Sequence, residues 1–206
     1  MKIISKPVKQ RGRPRSFDRD EALEQAMEVF WRYGYESASI SDLTAAMGIT
    51  PPSLYAAFGN KEQLFLEAVE RYLAANHERL SSYLDNPGTA REGVARLLRE
   101  ISCMMTDCEC PKGCMVVMSA LNCSESSAHI QKIMAKHRKA SEVRIRNRIE
   151  RGMREGDVPA DTNAAVLAVF FSTVIEGMSI QAKDGASARK IQSAIDTAMQ
   201  AWPQSK

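Results

Sequence analysis

The stretch from Ser39 to Phe58 reads SISDLTAAMGITPPSLYAAF. Ser39 and Asp42 form a helix-starting pair: the hydroxyl accepts from an N–H three residues on, and the acid can answer it. Leu43, Ala46 and Met47 follow at helical spacing, and Gly48 stops the run where a left-handed residue is wanted. Thr50-Pro51-Pro52 then opens a second short helix, Ser53 to Phe58. Proline is tolerated in a first helical turn because its missing N–H would have had no partner there. Pro52 pushes Pro51 away from helical geometry, so this helix is expected to start at Pro52 rather than Pro51. Two short helices across a tight glycine turn make a helix-turn-helix, whose second helix can enter a major groove N-terminus first. That places Thr50, Pro51, Ser53 and Tyr55 where base edges and phosphates would lie.

Helix signals continue in both directions, with no lasting strand-like alternation. Upstream, Asp18 with Glu21 caps a first helix through Ala22, Leu23, Ala26, Val29, Phe30 and Tyr33, ended by Gly34. Downstream, Asn60 with Gln63 caps a fourth helix running to about Leu84, and Thr89 with Glu92 caps a fifth through Ile101. A cysteine-dense loop, Asp107 to Gly113, precedes a sixth helix over about Cys114–Asn122. A long basic seventh spans about Glu125–Arg154, an apolar eighth Asp161–Lys183, and a ninth Ser187–Ala201. The fold expected is all-α with about nine helices: residues 1–16 a basic arm, 17–62 a three-helix DNA-binding domain, and 63–206 a larger helical domain.

Composition narrows the function classes. Apolar residues make up 44% of the 206-residue chain, enough for a sizeable core. No stretch reaches 18 uncharged apolar residues, and no apolar run follows the first charges, so neither a membrane span nor a secretory signal is expected. A cytoplasmic protein with reduced cysteines follows. The net charge of +3 is small but uneven. Residues 1–17 carry six cations (Lys2, Lys6, Lys9, Arg11, Arg13, Arg15) and no acid, leaving about −3 on the rest. A basic arm on an acidic body is a footprint of nucleic-acid binding.

The run Ala26, Phe30, Gly34, Ser39, Leu43, Gly48, Leu54, Tyr55, Phe58, Lys61, Glu62 and Leu64 resembles, in identity and spacing, the signature of the TetR family of bacterial regulators. The resemblance covers about 50 residues from Asp18. It implies a dimeric regulator of transcription, an operator-DNA partner, and a C-terminal domain for effector binding and dimerisation. It implies phosphate contacts for Tyr55 and Lys61, a cap and backbone contact for Ser39, and base or phosphate contacts for Thr50 and Ser53. Similar proteins pair their last two long helices across a two-fold axis, which suits an eighth helix apolar nearly all round. They also line their ligand cavity with the helices that here carry Tyr72, Met104, Met105, Met115, Met118 and Met134. Methionine makes adaptable apolar walls, and it also fills ordinary cores.

Cys103, Cys108, Cys110 and Cys114 lie within twelve residues. Three readings stand. Cys114, following Gly113 at the expected start of the sixth helix and near Lys112, is a thiolate sensor, with Cys108 or Cys110 resolving a sulfenic acid. Or three thiolates hold a soft metal, although the C-x4-C-x-C-x3-C spacing is not a standard zinc pattern. Or these are small core residues. No Gly-rich phosphate loop or paired acidic motif points to a cofactor or an enzyme, and a thiol enzyme using Cys114 with His129 or His137 has no orienting third group. An architectural DNA-binding protein is the remaining alternative to an effector-responsive repressor.

The expected reading helix carries no charge, and Asp18–Glu70 holds three cations against ten acids. Phosphate neutralisation governs much of DNA affinity, so the arm must supply it. Arg11-Gly12-Arg13-Pro14-Arg15 resembles an AT-hook core, which lays arginines in a narrow minor groove. Deleting residues 1–15 is therefore expected to lower operator affinity by about tenfold or more and to flatten its salt dependence. Equal binding by both forms at matched salt would refute this.

Overall fold

Caps set the element boundaries. The structure is a computed structural model describing residues 17–85, 87–106 and 110–204, and all side chains there except those of His77 and Glu78. Among the described residues the elements are α1 (Arg19–Ser37), α2 (Ile40–Met47), α3 (Pro51–Phe58), α4 (Lys61–Asp85) and α5 (Ala90–Thr106). They continue with α6 (Met115–Met118), α7 (Ala128–Glu155), α8 (Ala164–Lys183) and α9 (Ala188–Ala198). Short 3-10 turns sit at Glu125–Ser127 and Met199–Ala201, and no strand is present among these residues. The all-α fold expected from the sequence is the one observed.

Each cap read from sequence is made. The Asp18 carboxylate accepts from the N–H groups of Asp20 and Glu21. The Asn60 side chain accepts from Gln63 N at 2.8 Å, and Gln63 answers Asn60 N at 3.1 Å. Thr89 and Glu92 exchange the same pair of bonds. Gly48 stands at φ 64°, ψ 30°, the left-handed geometry that turns the chain from α2 toward α3.

Two cores result. The first joins α1–α3 to the N-terminal half of α4 through Phe30, Tyr35, Leu43, Leu54, Phe65 and Tyr72, and extends into Met115, Val116, Ile130 and Met134. The second packs α5, α7, α8 and α9 around Leu98, Ile145, Ile149, Phe171, Ile195 and Trp202, with Leu84 at the far end of α4. So α4 belongs to both. Bidentate Arg19–Glu67 contacts at 2.5 and 2.7 Å and an Arg71–Glu24 pair at 2.6 Å fasten α1 along it.

Several expectations change. Helix α3 begins at Pro51, not Pro52: Thr50 caps it, and both prolines occupy first-turn positions where no N–H is needed. Gly34 does break the helical geometry, at φ 80°, ψ 171°, but helical turns resume to Ser37. Tyr33 is exposed, whereas Trp31 and Tyr35 are buried. The sixth helix is one turn, not three. The Ser119 carbonyl that would continue it accepts from Tyr35 N at 2.7 Å instead. Helix α8 starts at Ala164, three residues late, because Asn163 caps it through Val166 N. By length and composition alone α8 is apolar enough to cross a membrane, which the search for uncharged runs missed because Glu176 interrupts it. It packs against α5, α7 and α9. On the basic helix α7, Arg148 is buried.

Where α5 crosses α4, Gly93 admits the backbone of the other helix. A Cβ there would stand 2.7 Å from the Tyr83 carbonyl oxygen. Gly93→Ala is expected to lower the unfolding free energy by about 1–3 kcal/mol, as overpacking does. An unchanged denaturant midpoint would mean the two helices separate without cost.

Candidate functional site

The outward face of α3 is held from beneath. Ser39 Oγ accepts from Asp42 N at 3.1 Å, while the Asp42 carboxylate takes Ser39 Oγ–H at 2.6 Å and Ser39 N–H at 3.0 Å. These bonds hold the Asp42 carboxyl below its ordinary range. Thr50 Oγ1 accepts from Ser53 N at 3.4 Å and lies 3.0 Å from Ser53 Oγ. Leu43, Leu54 and Phe58 are buried, so α2 and α3 are fixed against the first core. The opposite side of α3 presents Thr50, Pro51 and Tyr55 to solvent, with Tyr55 50% exposed and Ser53 half-buried between them. The structure thus brings together four of the expected contact residues on one outward face, with Ser39 exposed at the start of α2.

Lys61 is placed differently from a projecting phosphate grip. Its ammonium donates to the Glu36 carbonyl at 3.2 Å and lies 4.7 Å over the Tyr35 ring. Burial lowers its pKa, and the Glu36 charge opposes that shift. Arg19 is committed to Glu67, and Arg32 has Glu28 at 3.6 Å. Every cation of the acidic Asp18–Glu70 segment is thus already engaged. Arg11, Arg13 and Arg15 lie outside the described residues.

A cavity of about 160 Å³ opens between α4, α5, α7 and α8. Its walls are mostly leucine, isoleucine, valine and methionine, with Asn76, Arg138, Ser141, Arg144, Ser172 and Glu176 as polar points. Tyr72, Met104 and Met105 line it as expected. Met115 and Met134 do not; both are fully buried in the first core. Met118 is half-buried beside Gly113.

Among the described residues, Cys114 is the cysteine that lines this cavity. Its backbone N–H donates to Ser179 Oγ at 2.8 Å, and its sulfur takes the Tyr72 hydroxyl at 3.5 Å. Burial, together with the neighbouring Cys114, pushes the Tyr72 phenol well above its usual range, so it remains a donor. The helix it precedes is only four residues long, which leaves little dipole to act on the thiol. Lys112 donates to the Thr106 carbonyl at 2.6 Å. Cys103 and Cys110 are exposed, and Cys108 lies outside the described residues. Among the described residues no three His, Cys, Asp or Glu side chains are grouped to hold a metal ion. His129 pairs with Glu62 at 3.0 Å. Cys123 is half-buried, and burial raises its thiol pKa.

Sequence reasoning missed how this site connects to α1. Trp31 Nε1 donates to the Gly113 carbonyl at 3.2 Å, and the Trp31 ring meets Tyr72 edge-on at 4.9 Å. Ser124 donates through both N and Oγ to Glu36 at 2.8 Å, which lowers the Glu36 pKa. Lys183 Nζ donates to the Arg32 carbonyl at 2.8 Å. The available signal was Trp31 itself, a large aromatic off the apolar stripe assigned to the first helix.

Comparison with known proteins matches both halves of the chain. The family described as "Bacterial regulatory proteins, tetR family" matches residues 22–68, and "Tetracyclin repressor-like, C-terminal domain" matches residues 88–199. The HTH-type transcriptional repressor ComR of Escherichia coli (strain K12) is 34% identical, over 95% of this chain and 94% of its own. A cysteine mutant of the TetR family transcriptional regulator CifR, complexed with 26-bp double-strand operator DNA, is 46% identical with a TM-score of 0.91, covering 93% of this chain and 100% of that one. Reduced E. coli NemR shares the fold at 19% identity and a TM-score of 0.74, over 90% of this chain and 97% of its own. These relatives are regulators, not enzymes.

A hydrogen bond to sulfur stabilises a thiolate, so Tyr72→Phe is expected to slow alkylation of Cys114 by iodoacetamide at neutral pH several-fold. Mass spectrometry of the Cys114 peptide reads the rate. Equal rates would show that the contact does not tune the thiol.

Proposed function

This chain belongs to the tetR family of bacterial regulatory proteins, and we propose that it is a cytoplasmic homodimeric repressor whose grip on operator DNA is released through the cavity beside Cys114. The carrying observation is the outward face of α3, where Thr50, Pro51, Ser53 and Tyr55 stand above a buried, capped support. The operator complex of the CifR mutant, 46% identical to this chain, supports reading DNA with the same element. Major-groove contacts by hydroxyls and shape, with phosphate binding from Arg11, Arg13 and Arg15 of the arm, suit a head whose other cations are engaged.

Homodimerisation through α8 and α9 is supported by Val166, Val169, Phe170 and Ile180, all exposed on α8. Exposed apolar residues clustered on one helix favour a protein partner, and a two-fold would put two reading heads on successive major grooves. The effector reading is a small apolar molecule or electrophile that fills the cavity or modifies Cys114. The route from there to the DNA is short: Cys114 touches Tyr72, Tyr72 touches Trp31, and Trp31 lies in α1. A ligand shifts operator affinity only by its differential affinity for the two arrangements.

Tyr55→Ala should leave thermal stability within about 0.5 kcal/mol, as at other exposed positions. It should weaken binding to the protein's own upstream DNA by about tenfold, the loss expected for one charge-assisted contact. Footprinting with and without an oxidant then tests release. Undiminished binding by Tyr55→Ala would overturn the assignment of α3, and an oxidant-insensitive footprint would remove the cysteine arm of the reading.

A further inference from the structure

A second cavity, of about 260 Å³, lies where α7 meets the C-terminal end of α4. Arg144, Arg148, Arg151 and Arg154 line it with Asn147, and Leu84 and Asp85 close the other wall. Four cations and one acid thus line the space. Glu155 lies 3.5 Å from Arg151 and 3.7 Å from Arg148, so these four guanidinium groups face three nearby carboxylates, Asp85, Glu155 and Asp157.

Arg148 sharpens the case. It is 2% exposed. One of its terminal nitrogens donates to the Gly88 carbonyl at 2.5 Å. Its Nε and Nη1 are buried and have no hydrogen-bond acceptor. Glu155 and Asp157 are each 3.7 Å away, beyond hydrogen-bonding reach. Asp157 Oδ2 accepts from Ala90 N at 2.9 Å, and its Oδ1 is buried without a hydrogen-bond partner. A buried guanidinium with open donors carries a desolvation cost that an acceptor would relieve. Arg151 reaches the Asp85 carbonyl at 3.3 Å across the same space.

We propose that this cavity binds a small oxyanion, the phosphoryl or carboxylate group of a metabolite, between the guanidinium groups of Arg148, Arg151 and Arg154. Guanidinium forks match both groups bidentately. The site is chemically unlike the apolar cavity beside Cys114, and the reading does not depend on that cavity. The two spaces share Arg144 and Leu84 as a common wall, and Arg144 is tied to Ser81 of α4.

The test is calorimetric titration of the full chain in chloride buffer at fixed ionic strength, with inorganic phosphate and succinate as separate titrants. Saturable binding of either is expected, and the stronger one identifies the group recognised. Arg154→Ala, an exposed position, should weaken binding by about tenfold. Lys132→Ala, an exposed cation near the other end of α7, should leave it unchanged. The proposal fails if neither anion saturates, if Arg154→Ala binds as tightly as the parent, or if Lys132→Ala weakens binding as much as Arg154→Ala does.

Discussion

The structure hangs on one helix that belongs to two cores. Leu64, Phe65, Ala68, Val69 and Tyr72 of α4 are buried with the reading helices, and Leu84 is buried with α5, α7 and α8. Interiors of this density do not deform smoothly. A rearrangement around the lower end of α4 must therefore tilt its upper end or break contacts, and α1 is fastened along that upper end by Arg19–Glu67 and Arg71–Glu24. The segment Gly113–Ser124 adds a second fastening, through Trp31, Tyr35 and Glu36. The reading head has no core of its own apart from these partners: Met115, Val116, Ile130 and Met134 complete it.

What was legible in the sequence follows from which forces are local. Caps are local, so Ser39–Asp42, Asn60–Gln63 and Thr89–Glu92 marked true helix starts. Gly48 marked a true end for the same reason, being left-handed just past its helix. The family signature marked the helix-turn-helix because its spacings encode a rigid local unit. Contacts far apart in sequence were not legible. Ser119 ends α6 by giving its carbonyl to Tyr35, eighty-four positions away by numbering. Met115 and Met134 looked like cavity walls by spacing, yet the same periodicity serves a core, and the core took them. Trp31 was passed over because its partners, Gly113 and Tyr72, come from elsewhere in the chain.

Electrostatics divides the labour of recognition. Arg19, Arg32 and Lys61 are spent on carboxylates and a carbonyl within the fold. On the proposed reading, a head built this way discriminates by fit more than by attraction, because attraction to phosphate is indifferent to sequence. The basic side of α7, by contrast, turns several arginines inward or toward α4, with Arg138 on the Val116 carbonyl and Arg148 on the Gly88 carbonyl. Arg138 and Arg148 thus help to hold the helices in register.

The exposed side of α8 has a consequence for gene dosage. Val166, Val169, Phe170 and Ile180 leave apolar surface in water on a single copy, and under the proposed homodimer, which closes it against a second copy, the DNA-competent species is bimolecular. Its abundance then grows with the square of the monomer concentration while monomers are in excess. Control would turn on over a narrow range of protein level, and a modest dilution at cell division would loosen it more than proportionately.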